Sequence, residues 1–222
     1  MAHAVFDSPA GPWVYKETVL QSHGEGHWDA ITVHNPKIKR FNCKYYLYYV
    51  STNLGDQDYI EQKLVETART RNAHPLWYVL RPNQRVGVAV ATSINGPWER
   101  FDQPLIEPSG PITTLTVNPA ITQGKDGKFY LIVKGDKPNE TKFVRNQVMA
   151  ISDSPIGPFK MQTKPVIDYM DTEDVSMWYD NSSDFFYGVF HAHTFIGMIS
   201  SPDGFNWNKA TEYKLMSKHS WW

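Results

Sequence analysis

Asp7-Ser-Pro-Ala-Gly-Pro-Trp13 recurs along the chain as Thr92-Ser-Ile-Asn-Gly-Pro-Trp98 and as Asp153-Ser-Pro-Ile-Gly-Pro-Phe159, with a weaker copy in Ser201-Pro-Asp-Gly-Phe-Asn-Trp207. In each phrase Gly and Pro set a tight turn, and the aromatic that follows can pack back on the element just left. A short strand of small and branched residues precedes each copy: Ala2 to Phe6, Val86 to Ala91, Gln147 to Ile151 and Gly197 to Ser200. Working outward, a second phrase lies upstream of the last three: His34-Asn-Pro-Lys-Ile38, Val117-Asn-Pro-Ala-Ile121 and Glu173-Asp-Val-Ser-Met177. A polar turn and an aromatic-rich strand follow it each time, in Lys44 to Val50, Lys128 to Val133 and Phe185 to Phe190.

A recurring unit of this kind is one supersecondary element repeated, and it is read before any single motif inside it. Its order is strand, turn, aromatic strand, loop, small-residue strand, Gly-Pro turn, final strand. That is an up-and-down four-stranded blade, and repeated blades predict an all-β fold of the β-propeller type. Three nearly whole blades span about 27–108, 113–168 and 171–216, preceded by the last strands of another, so residues 1–222 read as a single, partial propeller domain. Propellers close with ~4–8 blades. The expectation is therefore a piece of a five-bladed parent, whose open blade edges offer unpaired strands for self-association. One segment breaks the pattern. Between about residues 51 and 84, Tyr59-Ile60, Leu64-Val65 and Ala68 recur at helical spacing, which predicts an insertion carrying an amphipathic helix over 56–70.

Composition narrows the partners. The 22 Lys+Arg balance 23 Asp+Glu, leaving no cationic surplus to hold a phosphate backbone or an anionic membrane surface. No apolar run approaches the ~20 residues of a membrane-spanning helix. The first residues show no basic stretch followed by an apolar one, and loss of a first blade would remove any export signal. Cys43 is the only cysteine, so no intrachain disulfide can form. Eight Trp and 12 Tyr supply rings that stack on sugar faces, although blade cores use such rings too.

Taken together, Trp28-Asp-Ala-Ile-Thr-Val-His-Asn-Pro36, Arg85-Val-Gly-Val-Ala89, Gly96-Pro-Trp98, Val117-Asn-Pro119, Glu173-Asp174 and Met177-Trp-Tyr179 resemble the five-bladed glycoside hydrolases of the family 43 and family 32 superfamily, the family-43-like members most of all. The resemblance covers nearly the whole chain outside the insertion. It implies hydrolysis of glycosidic bonds in oligo- or polysaccharides, a carbohydrate substrate, and a periplasmic or extracellular setting.

Glycoside cleavage needs one group to protonate the departing oxygen and a carboxylate to activate water or attack the anomeric carbon. The first strand of each propeller blade lines the axis, so residues near blade starts are the candidates. Asp29 precedes the first such strand and is expected to be the general base; replacing it with Asn is then expected to abolish hydrolysis and leave the fold intact. Glu173 resembles the family's general acid, with Asp174 beside it raising its proton affinity by like-charge repulsion. His193 is the reserve acid, since it alternates with His191 on an aromatic strand and imidazole titrates near neutrality. His34, Asn35 and Asn118 occupy inner-strand starts and suit sugar hydroxyls; Asn118 stands where the family often has an aspartate. Lys134 and Arg85 suit a hydroxyl or uronate, and Trp28, Trp178 and Tyr179 offer stacking faces. No cofactor is required. His23, Glu25 and His27 in a Gly-rich loop, together with the His191 and His193 pair, leave room for a structural or axial metal ion such as calcium. A non-catalytic carbohydrate-binding module is the rival reading, and a protein-interaction propeller a more distant one.

Overall fold

The computed structural model describes residues 1–140, 144–192, 195–209 and 211–214, and divides into two compact units, Met1–Glu107 and Pro108–Trp222. In the first unit β1 (Ala2–Val5) and β2 (Val14–Thr18) form a two-stranded antiparallel sheet. Then β3 (His34–Phe41), β4 (Lys44–Ser51), β5 (Arg85–Ala91) and β6 (Glu99–Arg100) form a four-stranded antiparallel sheet in sequence order. Between β4 and β5 stand helix α1 (Glu61–Thr70), a 3-10 turn (Arg71–Ala73) and the short helix α2 (Trp77–Leu80).

The second unit holds two further meanders of the same kind. One runs through β7 (Thr113–Gln123), β8 (Phe129–Asp136), β9 (Arg145–Ser152) and β10 (Lys160–Ile167), the other through β11 (Glu173–Asp180), β12 (Phe185–His191), β13 (Phe195–Ser201) and β14 (Thr211–Lys214). Their first strands, β7 and β11, run in contact with each other. A shared apolar cluster joins the sheets, drawing Ile132 and Met149 from one and Val175, Met177, Phe190 and Ile199 from the other. The chain is therefore all-β and built of propeller-type blades, as its repeats predict.

Local chemistry explains the strands. Aromatic and β-branched residues dominate β4, which lies between β3 and β5, and Tyr46 through Val50 are all buried. Strand β2 at its sheet edge is exposed throughout. The Gly-Pro phrases are one backbone motif used three times. Gly11, Gly96 and Gly157 have φ of 78°, 83° and 81°, each is followed by a cis proline, and each amide donates to the serine carbonyl three residues earlier. Helix α1 starts at Glu61, five residues past the start expected from apolar spacing, and of its apolar residues Leu64 is half-buried while Val65 and Ala68 are exposed. Tyr59, Ile60 and Val65 are exposed, and Thr67 is its buried residue, donating to the Lys63 carbonyl and bonded to His74 Nδ1.

Close approach of backbone at the end of β8 gives a first test. A Cβ on Gly135 would lie 2.6 Å from the Leu115 carbonyl oxygen and 2.7 Å from Ile112 Cβ, both inside contact distance. Gly135→Ala is expected to cost about 1–3 kcal/mol through overpacking, read as a lowered urea midpoint. An unchanged midpoint would mean that this segment yields freely.

Candidate functional site

The repeated phrase at each inner-strand start encodes a β-bulge. Pairing of β3 with β4 shifts register between His34 and Lys37, that of β7 with β8 between Val117 and Ala120, and that of β11 with β12 between Glu173 and Ser176. Inside each shift one residue takes the left-handed backbone conformation: Asn35 at φ 50°, Asn118 at 53° and Asp174 at 46°. Asn and Asp enter that region at lower cost than other residues with a side chain. A bulge bends its strand and re-aims the neighbouring side chains.

In the second unit two bulges bring their side chains together. Asn118 donates through Nδ2 to Glu173 Oε2 at 3.0 Å. Lys134, opposite Val117 in the β7–β8 ladder and 1% exposed, pairs closely with the same Oε2 and also donates to the Thr172 carbonyl at 2.9 Å. Arg145 at the mouth of β9 reaches Glu173 Oε1 at 3.1 Å and Asp171 Oδ2 at 2.8 Å. Gln147, next to Lys134 across the β8–β9 pair, donates to Thr172 Oγ1 at 3.1 Å. Burial pushes the Lys134 ammonium below its ordinary range; the Glu173 carboxylate opposes that shift, and the Arg145 charge adds to it.

Glu173 nevertheless reaches solvent, with its side chain 36% exposed. His191 is its cross-strand partner in the β11–β12 ladder, and His191 Nε2 lies 3.7 Å from Asp174 Oδ2. Arg145 Nε and Gln147 Oε1 are buried without a hydrogen-bond partner among the described residues. Such atoms rim an already polar cluster. His193 lies outside the described residues.

The first unit holds the other predicted carboxylate in a different setting. Asp29 is fully buried, at 0% exposure. Its Oδ1 lies 2.7 Å from His23 Nδ1, and its Oδ2 accepts from the Tyr49 hydroxyl at 3.1 Å and from Arg100 Nη1 at 3.2 Å. Arg100 also donates to the Gln21 carbonyl at 2.6 Å, and the His23 amide donates to the Asp29 carbonyl at 3.1 Å. Asp29 thus fastens the loop before β3 to β4 and β6.

The remaining sequence candidates have partners of their own. Trp28 stacks on Tyr49, with centroids 5.8 Å apart, and donates to the Phe101 carbonyl; its ring packs among the core side chains of its unit. Arg85 pairs with Glu107 at 2.6 Å and donates to the carbonyls of Pro82 and Gln84, so it ties the insertion's return to the sheet. His34 and Asn35 lie at the β3 bulge. Trp178 stacks on Tyr187, and Tyr179 bonds Asp184 at the far end of β11. Five to six residues of strand put both roughly 17 Å or more from Glu173 along that strand.

Sequence reasoning missed Arg145, Arg100 and Tyr49. For Arg145 a signal existed, because it is the charged residue that opens an otherwise uncharged strand. For Arg100 none did, since its partner lies 71 residues away.

No family model matches the chain, and no curated protein sequence matches it. Solved structures do. A family 117 glycoside hydrolase from the marine bacterium Zobellia galactanivorans aligns with TM-score 0.67 and 21% identity over 91% of this chain and 52% of its own. The β-xylosidase RS223 aligns at TM-score 0.59 and 16% identity over 83% of this chain and 59% of its own. An exo-β-1,3-galactanase from Phanerochaete chrysosporium aligns at 0.57 and 15% over 90% and 40%. The chain shares their fold and spans about half the length of the first of them.

Proposed function

We propose that the chain forms part of a glycoside hydrolase acting on oligo- or polysaccharides, with Glu173 as the reacting carboxylate. The observation that carries this reading is the convergence of Asn118, Lys134 and Arg145 on one solvent-reaching carboxylate at paired bulges. Three donors hold Glu173 in a fixed pose, and fixed pose is what glycoside cleavage asks of a carboxylate. The shared fold supports the class of reaction, since proteins with this fold are named as xylosidases and galactanases and hold xylotriose or β-1,3-galactotriose.

Within this reading Glu173 acts as acceptor: it orients and activates the water, or attacks the anomeric carbon. His191, across the strand and beside Asp174, delivers the proton to the departing oxygen, a role imidazole fills near neutral pH. This reverses the acid role that the resemblance implies for Glu173, because its donors already engage both oxygens. Asn118 and Lys134 position Glu173, and Arg145 borders the sugar. Asp29 serves as a fastener of its unit, because a base must touch water and this carboxylate has no exposed surface.

The test is release of reducing ends by the purified chain from xylo-, arabino- and galacto-oligosaccharides. Glu173→Gln is expected to lower turnover by about 100-fold or more, with the far-ultraviolet spectrum unchanged. His191→Ala is expected to lower turnover by about 100-fold. Calorimetric binding of an oligosaccharide without any release would favour the carbohydrate-binding module instead. Undiminished turnover in Glu173→Gln would overturn the assignment.

A further inference from the structure

The loop His23-Gly-Glu-Gly-His-Trp-Asp29 carries chemistry that the proposed sugar reaction does not use. Histidine, glutamate, histidine and aspartate alternate at positions 23, 25, 27 and 29. One ligand atom from each of His23, His27 and Asp29 lies within 4.8 Å of the others, and the two imidazole rings stand 4.8 Å apart at 43°. The backbone is shaped to bring them together. Gly24 and Gly26 take φ of 87° and 86°, and the His23 amide closes the loop on the Asp29 carbonyl. A Cβ at either glycine would meet nothing within 4 Å, so conformation and not space accounts for glycine there.

We propose that His23, His27 and Asp29 form a binding site for a divalent transition metal of the zinc class. Two imidazole nitrogens with one carboxylate oxygen suit zinc and its late first-row neighbours, whereas calcium and magnesium take oxygen ligands. Asp29 is already oriented for the task. Tyr49 and Arg100 hold Oδ2, which leaves Oδ1 directed at His23. Such outer partners are the usual means of orienting a ligating carboxylate. Ligands on one tetrahedral zinc stand about 3.3 Å apart. The 2.7 Å His23–Asp29 contact must therefore widen slightly when the metal binds.

His27 also lines a cleft of about 530 Å³, together with Glu25, Trp28, Asn53 and Tyr59. The fourth coordination position is thereby open to water or to a ligand oxygen. This assignment is independent of any sugar-cleaving activity and concerns only the first unit.

Isothermal titration with zinc chloride and with cobalt chloride, after chelator treatment and dialysis, tests it. One equivalent per chain is expected, with visible cobalt bands of tetrahedral intensity. His23→Ala and His27→Ala, both at solvent-reaching positions, are expected to weaken binding by at least about 100-fold. His3→Ala in the same unit should bind as the parent does. Absence of stoichiometric binding, parental affinity in both loop variants, or tighter calcium than zinc binding would overturn the site. Matching far-ultraviolet spectra for both variants keep loss of ligand separate from loss of fold.

Discussion

Asp29→Ala is expected to destabilise the first unit by about 3–5 kcal/mol, the usual cost of removing one member of a buried ion pair. Three partners lose their acceptor at once. Arg100 is left with a charge at a mostly buried site, the Tyr49 hydroxyl has no oxygen to donate to, and His23 loses the contact that closes its loop. Typical domain stabilities are about 5–15 kcal/mol, so a large part of the margin disappears. Asp29→Asn keeps the shape but replaces one acceptor oxygen with a donor, so it too should lower stability. Sequence alone points the other way, to a folded but inactive Asn variant. Urea denaturation followed by near-ultraviolet circular dichroism separates the two. A parental midpoint for Asp29→Asn would show that the network is dispensable and would return Asp29 to the list of candidate bases.

The second large effect is alkaline. Burial pushes the phenols of Tyr48 and Tyr49 far above their ordinary value of 10.0; the Asp29 carboxylate adds to the shift at Tyr49, and Arg100 opposes it. In the unfolded chain both phenols ionise near 10, while in the folded chain they keep their protons. Above that pH the unfolded state binds fewer protons than the folded one, so stability falls as pH rises. Their contribution is complete below pH 10 and declines from there toward the folded values. Each tyrosine gives a slope of about 1.4 kcal/mol per pH unit, so the pair removes roughly 3 kcal/mol per unit. Urea stability between pH 8 and about pH 12 should trace this loss, and Tyr49→Phe should make its slope shallower by about 1.4 kcal/mol per pH unit. Appearance of phenolate absorbance for these residues near pH 10 with the fold intact would refute the prediction.

How much of this was legible beforehand depends on the range of each interaction. The blades were readable because a Gly-Pro turn and its flanking strands are local, and repetition multiplies a weak signal. The Asn-Pro phrase was readable as a recurring mark at inner-strand starts, but not as a bulge, because register belongs to two strands. Helix α1 was found by apolar spacing, yet Val65 is exposed, so spacing gave the element and not its burial. At the site, Glu173, Asn118 and Lys134 were picked out from their places in the repeat, while their mutual contacts depend on three different strands. Asp29 is legible as a candidate but its surroundings are not, for the same reason. Its environment is made by Tyr49 and Arg100, and nothing near it in sequence announces that it is sealed from solvent.

The left-handed residue that kinks the first strand of each blade has a consequence for how such a protein can diversify. Its geometry is supplied by a short polar side chain, whereas the residue just before it is histidine in one blade, valine in the next and glutamate in the third. In the third blade Asp174 makes the bend and Glu173 is the displayed letter, whereas in the second Asn118 serves as both. Where the two are separate, a lineage can rewrite the displayed letter, trading one reactivity for another, without renegotiating the bend that presents it.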